Sequence, residues 1–431
     1  MRILFTTYSE KTHFQLLVPL AWALRTAGHE VCFAVQPKFV DTVTQAGLTA
    51  VPVGSDRDVW NIIGRIPDWI DESDGKDGEL YAPYASALMR PDEVTWEYVR
   101  DGFERVVKRL HKPANFPLVS DLVEFARQWQ PDLVLWEANT FAGGIAARAC
   151  GAAHGRLVFA IDVEAIARDL FLDLCEQQPE GERVDPLGEW LEGYARKYGF
   201  EFSEDLVTGQ FTVDQLPDAL NMHSERLDYV PMRPVPYGGP ATVPKWLQET
   251  PKRPRVALTL GLSTTDHQAD YAVDVQDVLD AVADLDIEVV ATIAESQQDR
   301  LSRIPDNVRV VSYVPLLALV PTCAAVIHHG GYGTMSTVAL NGVSQLVLPA
   351  ADDGPVLGRG IAEVGAGLSV DPRRTTGAEV RGFLLRLLDG EEFEDGVARL
   401  RSQMDELPSP NELGPVLEAK VEHHRSRTGK R

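Results

Sequence analysis

Two histidine-bearing segments hold the groups best suited to chemistry. In Ala325-Val-Ile-His-His-Gly-Gly-Tyr-Gly-Thr334 a buried-strand pattern runs into His328 and His329. Gly330, Gly331 and Gly333 follow, and Thr334, Ser336 and Thr337 open a helix. Glycines let a ligand approach the backbone closely. Free N–H groups at a helix N-terminus bind phosphate oxygens, and the macrodipole favours negative charge there. A histidine beside such a turn adds a donor for a diphosphate leaving group. The second segment is Thr7-Tyr-Ser-Glu-Lys-Thr-His13, just beyond an N-terminal strand; its distant counterpart is Glu137, just beyond the strand Asp132–Trp136. A histidine oriented by a carboxylate, which also stabilises its charged form, deprotonates an alcohol near neutral pH. Glu137 read alone is equally an exposed strand-end carboxylate. Asp352 and Asp353 stand side by side, but adjacent carboxylates in one loop tend to diverge and no third acidic ligand stands nearby, so no metal site is expected.

These groups need a frame that brings strand ends together. The first residues read as strand Ile3–Thr6, helix Phe14–Ala27, strand Val31–Val35, helix Phe39–Ala46 and strand Thr49–Val53. Proline is tolerated in a helix's first turn, so Pro19 puts the regular part of the first helix from about Val18. The rhythm resumes with Asp132–Trp136, a small-residue helix Phe141–Cys150 and a strand Arg156–Ala160. A β-α-β-α-β order means a parallel sheet with helical crossovers. Residues 231–254 hold seven prolines and the pair Gly238-Gly239, a density that excludes regular structure and marks a linker. Beyond it come strands Arg255–Leu260, Ile287–Ile293, Val308–Ser312, Ala324–His328 and Gln345–Leu348, with helices Val275–Leu285 and Gly358–Val364. The expected fold is α/β: an N-terminal domain over 1–230, the linker 231–254, a C-terminal domain over 255–410, and a helix with a basic tail over 411–431. Two such sheets can present the carboxyl ends of their strands to a common cleft. The less regular region 55–115 carries Trp60, Trp69, Tyr81, Tyr84, Trp96, Tyr98 and Phe103. Each suits a helix core; together they suit an apolar ligand pocket.

Composition narrows the partners. The 431 residues carry a formal net charge of −23, a poor basis for gripping a phosphate backbone or an anionic membrane surface. Cys32, Cys150, Cys175 and Cys323 lie far apart with no CxxC pair, as expected of reduced thiols. No signal-peptide pattern opens the chain, and the longest apolar stretch, Val314–Ile327, is too short to span a bilayer and contains Pro315 and Pro321. A cytoplasmic protein that binds neither nucleic acid nor membrane is expected.

The HHGGxGT turn after a strand, in the second of two such domains, resembles nucleotide-sugar-dependent glycosyltransferases of the GT-B, family 1 type. LVPLAWALRTAGHEV near the N-terminus, PDLVLWE at 131–137 and NVRVVSYVP at 307–315 extend the likeness over nearly the whole chain. It is similar in particular to bacterial enzymes that attach deoxysugars to macrolides and related polyketides. The resemblance implies two Rossmann-like domains facing a cleft and a metal-free inverting transfer from a dTDP-deoxysugar to a hydroxyl of an apolar aglycone. His13 falls at the catalytic base, with Glu137 as its partner. His329 matches the diphosphate-contacting histidine, with Gly331, Gly333 and Thr334 as the anion nest. Tyr313 falls where an aromatic or apolar residue faces the base, Val314 supplies backbone contacts, and Ser263 is a candidate phosphate contact. Asp353 matches an acid that bonds sugar hydroxyls. It is followed by Gly354 where glutamine is frequent, which fits a sugar with fewer hydroxyls. Trp60, Trp69, Tyr81 and Tyr84, with the stretch Phe159–Phe171, are the expected acceptor wall. Closure about residues 231–254 would exclude water, and a C-terminal helix from Leu413 would return to the first domain. Some relatives use a helper protein resembling a cytochrome P450, docked on the N-terminal domain.

Two rival readings stay open at this stage. Gly331-x-Gly333 after a strand, with Asp352 some way on, also suits a nicotinamide-dependent Rossmann oxidoreductase. Against that, Ser336 stands at the third glycine position and the paired histidines have no role. The other rival is a non-catalytic nucleotide-sugar binder.

Overall fold

The computed structural model describes residues 1–58, 80–261, 271–349 and 353–429. Trp60, Trp69, Ser263 and Asp352 lie outside the described residues. Among the described residues the chain forms two all-parallel sheets. The first contains β1 (Arg2–Thr6), β2 (Glu30–Val35), β3 (Ala50–Pro52), β4 (Leu133–Glu137), β5 (Ala153–Leu157), β6 (Thr212–Asp214) and β7 (Tyr229–Pro231), in the order β3-β2-β1-β4-β5-β6-β7. The second contains β8 (Arg255–Thr259), β9 (Glu288–Thr292), β10 (Val308–Val311), β11 (Ala325–His328), β12 (Ser344–Val347) and β13 (Gly367–Ser369), in the order β10-β9-β8-β11-β12-β13. The central strands β1, β4, β8 and β11 are apolar runs buried on both faces, as helices on either side of a parallel sheet require.

Helix α1 (Lys11–Thr26) corrects one expectation. It begins at Lys11, not near Val18, and carries Pro19 in its interior. An internal proline removes one hydrogen bond and costs about 3 kcal/mol. Burial of Phe14, Leu17, Val18, Leu20 and Leu24, worth roughly 2 kcal/mol each, outweighs it. Strand β5 is also earlier than Arg156–Ala160 suggests. It pairs with β4 from Leu133↔Ala153 to Glu137↔Leu157, which frees Phe159 from the sheet. Helix α2 (Ala142–Cys150) follows β4, and α3 (Val163–Glu176) follows β5, its N-cap Asp162 accepting from the Ala165 N–H at 3.2 Å. The proline-rich stretch is not wholly irregular: Pro231 closes β7 and Lys245–Gln248 forms a 3₁₀ turn that buries Leu247.

In the second half, α4 (Tyr332–Leu340) follows β11 and α5 (Gly354–Val364) follows β12, starting four residues before Gly358. The final helix α6 (Leu413–Thr428) sets Leu413, Leu417 and Val421 in one core cluster with Ile3, Leu17 and Leu133 of the first half. Arg425 pairs with Asp132 at 2.5 Å, and His424 is held by Gln210 at 3.1 Å. Another cluster is shared between halves: Leu216 and Leu220 lie in the same buried core as Tyr332, Met335, Leu357 and Leu400. The four cysteines form no disulfide. Among the described residues no helix is long and apolar enough to cross a membrane.

Candidate active site

Thr6 and Trp136 are register partners, so β1 and β4 release the chain at the same height. Beyond β1 the loop turns into α1, with Glu10 as N-cap, an acid where the helix dipole favours one. His13 is the third residue of that helix. Glu137 is the last residue of β4, inside the strand and not beyond it, and is wholly buried. Its Oε1 lies 3.0 Å from His13 Nδ1 and accepts the Asn139 N–H at 3.0 Å; its Oε2 accepts the Thr140 hydroxyl at 2.8 Å. Thr140 Oγ1 in turn accepts the Tyr8 N–H at 3.0 Å, tying both loops together. Buried Asn115 fixes the same loop, donating to the Asn139 carbonyl at 2.9 Å and accepting the Ala142 N–H at 2.8 Å.

An ionised carboxylate only accepts hydrogen bonds, so His13 Nδ1 bears the proton facing Glu137 and Nε2 carries the lone pair. The His13 side chain keeps 19% of its surface exposed, against 0% for Glu137. Burial pulls the imidazole's pKa down. The charge and hydrogen bond of Glu137, with the charges of Glu10 and Asp353, more than offset this and leave it above the ordinary histidine value. Phe159, freed from β5, meets the His13 ring edge-on at 4.7 Å, and Tyr8 meets it at 5.2 Å.

Asp353 belongs to the second half, so the two halves meet electrostatically at His13. It is the N-cap of α5, and Gly354 opens that helix. Beside it lies the HHGG turn. His328 is buried and structural: its Nδ1 accepts the Gly330 N–H at 3.1 Å and its Nε2 faces Gln345 Oε1 at 2.8 Å. Burial, then the charge of His329, pulls its pKa to about 3. Gly330 has φ +89° and lies so close to α5 that a Cβ there would stand 3.1 Å from Gly354 Cα. A Cβ on Gly331 would fall 2.4 Å from His329 Nε2, so glycine at 331 makes room for the imidazole. His329 Nδ1 is buried with no hydrogen-bond partner among the described residues. Burial pulls the His329 pKa to about 4, against a smaller upward pull from the Thr259 backbone. Gly331 caps α4 without a side-chain acceptor, and Gly333 is exposed with open space where a Cβ would project. Thr334 is half-buried in the same first turn.

Tyr313, after β10, is 46% exposed, its hydroxyl donating to the Gly238 carbonyl at 3.4 Å; Val314 is buried. Of the expected acceptor wall, Tyr81 is half-buried. Tyr84 is 5% exposed, with its hydroxyl 2.6 Å from His111 Nε2. It therefore backs the wall from inside the core and offers almost no surface of its own. Among the described residues, a groove of about 490 Å³ lined by Phe116, Trp190 and Tyr194 holds none of the predicted site residues. Thr140 and Asn115 were not anticipated. Thr140 carried a signal, since a hydroxyl a few residues past a strand end commonly bonds back to neighbouring groups; Asn115, inside a helix upstream, carried none.

Two Rossmann-like parallel sheets with their strand ends converging on one cleft form the GT-B arrangement of glycosyltransferases. Residues 22–261 match the family described as erythromycin biosynthesis protein CIII-like, N-terminal domain, and residues 276–420 match its C-terminal domain. The chain is 43% identical over 427 residues to the 10-deoxymethynolide desosaminyltransferase of Streptomyces venezuelae, covering 99% of this chain and 98% of that protein. It is 41% identical over 439 residues to the aclacinomycin-T 2-deoxy-L-fucose transferase of Streptomyces galilaeus, covering 100% and 98%. The crystal structure of glycosyltransferase VinC in complex with dTDP superposes with a TM-score of 0.87 at 39% identity, covering 98% of this chain and 100% of that one. The chain belongs to the erythromycin biosynthesis protein CIII-like family and is a glycosyltransferase, which disfavours the oxidoreductase reading.

Proposed function

We propose that this enzyme transfers a deoxysugar from a dTDP-sugar to a hydroxyl of a macrolide or related polyketide aglycone, with inversion at the anomeric carbon. The observation that carries the reading is the His13–Glu137 pair at 3.0 Å, with Asp353 of the opposite half acting on the same imidazole. The relatives' names supply the sugar and acceptor classes, and the dTDP held by VinC supplies the nucleotide.

In the proposed step the acceptor hydroxyl lies between His13 and the anomeric carbon. Its proton passes to His13 Nε2 as the new carbon–oxygen bond forms. The bond from the anomeric carbon to the phosphate oxygen breaks, and its electron pair leaves with dTDP. Glu137 holds the tautomer and balances the imidazolium. The N-terminus of α4, capped by Gly331 and including Gly333 and Thr334, receives the developing diphosphate charge with His329, an electrostatic task suited to preorganised donors. His329 Nε2, which lies against Gly331 at the start of α4, is the nitrogen suited to a ligand contact, and a bound dianion favours protonation of that ring. Tyr313 offers its exposed ring to thymine, with Val314 beside it; Asp353 and Gly354 face the sugar, and Ser263 remains a proposed phosphate contact. Trp60, Trp69 and Tyr81 are assigned to the acceptor side, backed by Tyr84. No metal or cofactor enters the proposed step. A helper protein resembling a cytochrome P450, docked on the N-terminal half, belongs to the proposal as a separate component.

The test incubates wild type and His13→Ala with a panel of dTDP-deoxysugars and polyketide aglycones, with and without such a helper, reading products by mass and dTDP affinity by calorimetry. Product from wild type only, with dTDP affinity kept in both, supports the reading. Equal turnover by His13→Ala, or no mass gain with any pair, overturns it.

A further inference from the structure

Tyr332 opens α4 between the cradle glycines, yet it is 4% exposed and packs in the core shared by both halves. Its hydroxyl donates to the backbone carbonyl of Gln215, one residue past β6 of the other sheet, at 3.0 Å. Its ring centroid lies 6.3 Å from that of Phe159, which in turn meets His13 at 4.7 Å. Burial, aided by the charge of Asp214, pushes the phenol well above its ordinary range, so it stays protonated and donates throughout the working pH range. Anion binding at a helix N-terminus uses backbone N–H groups and has no need of a phenol at this position. The side chain is engaged by the opposite half of the molecule.

We propose that Tyr332 is an interdomain positioning residue: its bond to the Gln215 carbonyl, with its contact through Phe159 to His13, sets the spacing between the diphosphate cradle and the base. The inference rests on the assignment of His13 as base and α4 as cradle. Reacting atoms must lie about 3–3.5 Å apart, and a misplacement of about 1 Å costs on the order of 100-fold in rate. A strap fixed to a backbone carbonyl has little slack, because its acceptor has no rotamer to adjust. Leu216, Leu220 and Met335 keep the surrounding core packed when only the hydroxyl is removed.

The test is Tyr332→Phe, with four readouts: dTDP affinity, transfer rate, donor hydrolysis without acceptor, and the acid limb of the pH profile. The expected result is dTDP affinity within about twofold, transfer slowed about 10- to 100-fold, and an unmoved acid limb. Hydrolysis should slow less, because water is small and finds its own position, so the transfer-to-hydrolysis ratio falls. That ratio is a property of each active molecule, so a partly unfolded sample cannot imitate the change. Equal slowing of both reactions would make the residue merely structural and overturn the inference. Loss of dTDP affinity beyond tenfold would overturn it in favour of direct donor binding. Wild-type transfer by Tyr332→Phe beside an inactive His13→Ala would refute the strap and leave the base assignment standing. Full activity of His13→Ala would instead remove the base assignment, and the spacing argument with it.

Discussion

Glu137→Gln tests the proposed base, His13, most directly, because it keeps the volume and removes the charge. In the wild type the carboxylate is fully engaged by His13, Asn139 and Thr140. The glutamine oxygen can still accept from His13 Nδ1, so the tautomer survives. Its amide nitrogen must then face Thr140 Oγ1, which already accepts the Tyr8 N–H. The main loss is the charge-assisted bond to the imidazolium as the acceptor's proton arrives. Such bonds contribute about 1.5–3 kcal/mol, and 1.36 kcal/mol is tenfold in rate, so kcat should fall about 10- to 150-fold. A second signature follows from the raised pKa of His13. If His13 is the base, as proposed, it must be deprotonated, so wild-type kcat/KM should climb through a pH above the ordinary histidine value of about 6.5; in Glu137→Gln that limb should move to lower pH. Stability changes in the matching sense. A raised folded pKa contributes stability that is complete below about pH 6.5 and lost as pH rises through the folded value, and the variant should lose that dependence. The assay is initial-rate transfer from pH 5 to 9 with parallel urea titrations at each end. Wild-type kcat with an unshifted limb would refute the argument that Glu137 supports the imidazolium.

Three further outcomes are expected. Thr140→Val removes the hydroxyl that donates to Glu137 Oε2 and accepts the Tyr8 N–H in a buried site and should cost about 1–3 kcal/mol, seen as a lower urea midpoint with unchanged slope. Gly331→Ala puts a Cβ 2.4 Å from His329 Nε2 and should weaken dTDP binding by calorimetry about tenfold or more, with little change in melting temperature. Burial, then the charges of Asp162 and Glu137, raises Glu164 to about 7 from its ordinary 4.5. The folded chain therefore binds the extra proton in that window and loses stability as pH rises through it. Glu164→Gln should be more stable than wild type at pH 8 and indistinguishable at pH 4, by thermal melts at both.

What was legible in the sequence follows from which interactions are local. Strand ends in a parallel sheet share one edge, so reading β1 and β4 correctly was enough to bring His13 toward Glu137 across most of the first half. The HHGG turn was equally readable, since Gly330 and Gly331 answer to sterics within a few residues, and the strand that became β11 was expected within one residue of its observed start. The helix running through Pro19 was hidden because tertiary burial overrode a local rule. The earlier register of β5 was hidden because Ala153, His154 and Gly155 gain strand character only through pairing with β4. Tyr84 read as a pocket residue because an aromatic side chain looks the same in sequence whether its neighbour is a ligand or His111. Tyr332 sat within the most conspicuous motif, yet its partner is a backbone carbonyl, which leaves no mark on residue identity.

The seam of apolar side chains running from one lobe into the other has a mechanical corollary. Prising the lobes apart would wet Leu216, Leu220, Met335 and Leu357 together, at roughly 6–12 kcal/mol for the four. That cost opposes parting of the lobes along this seam.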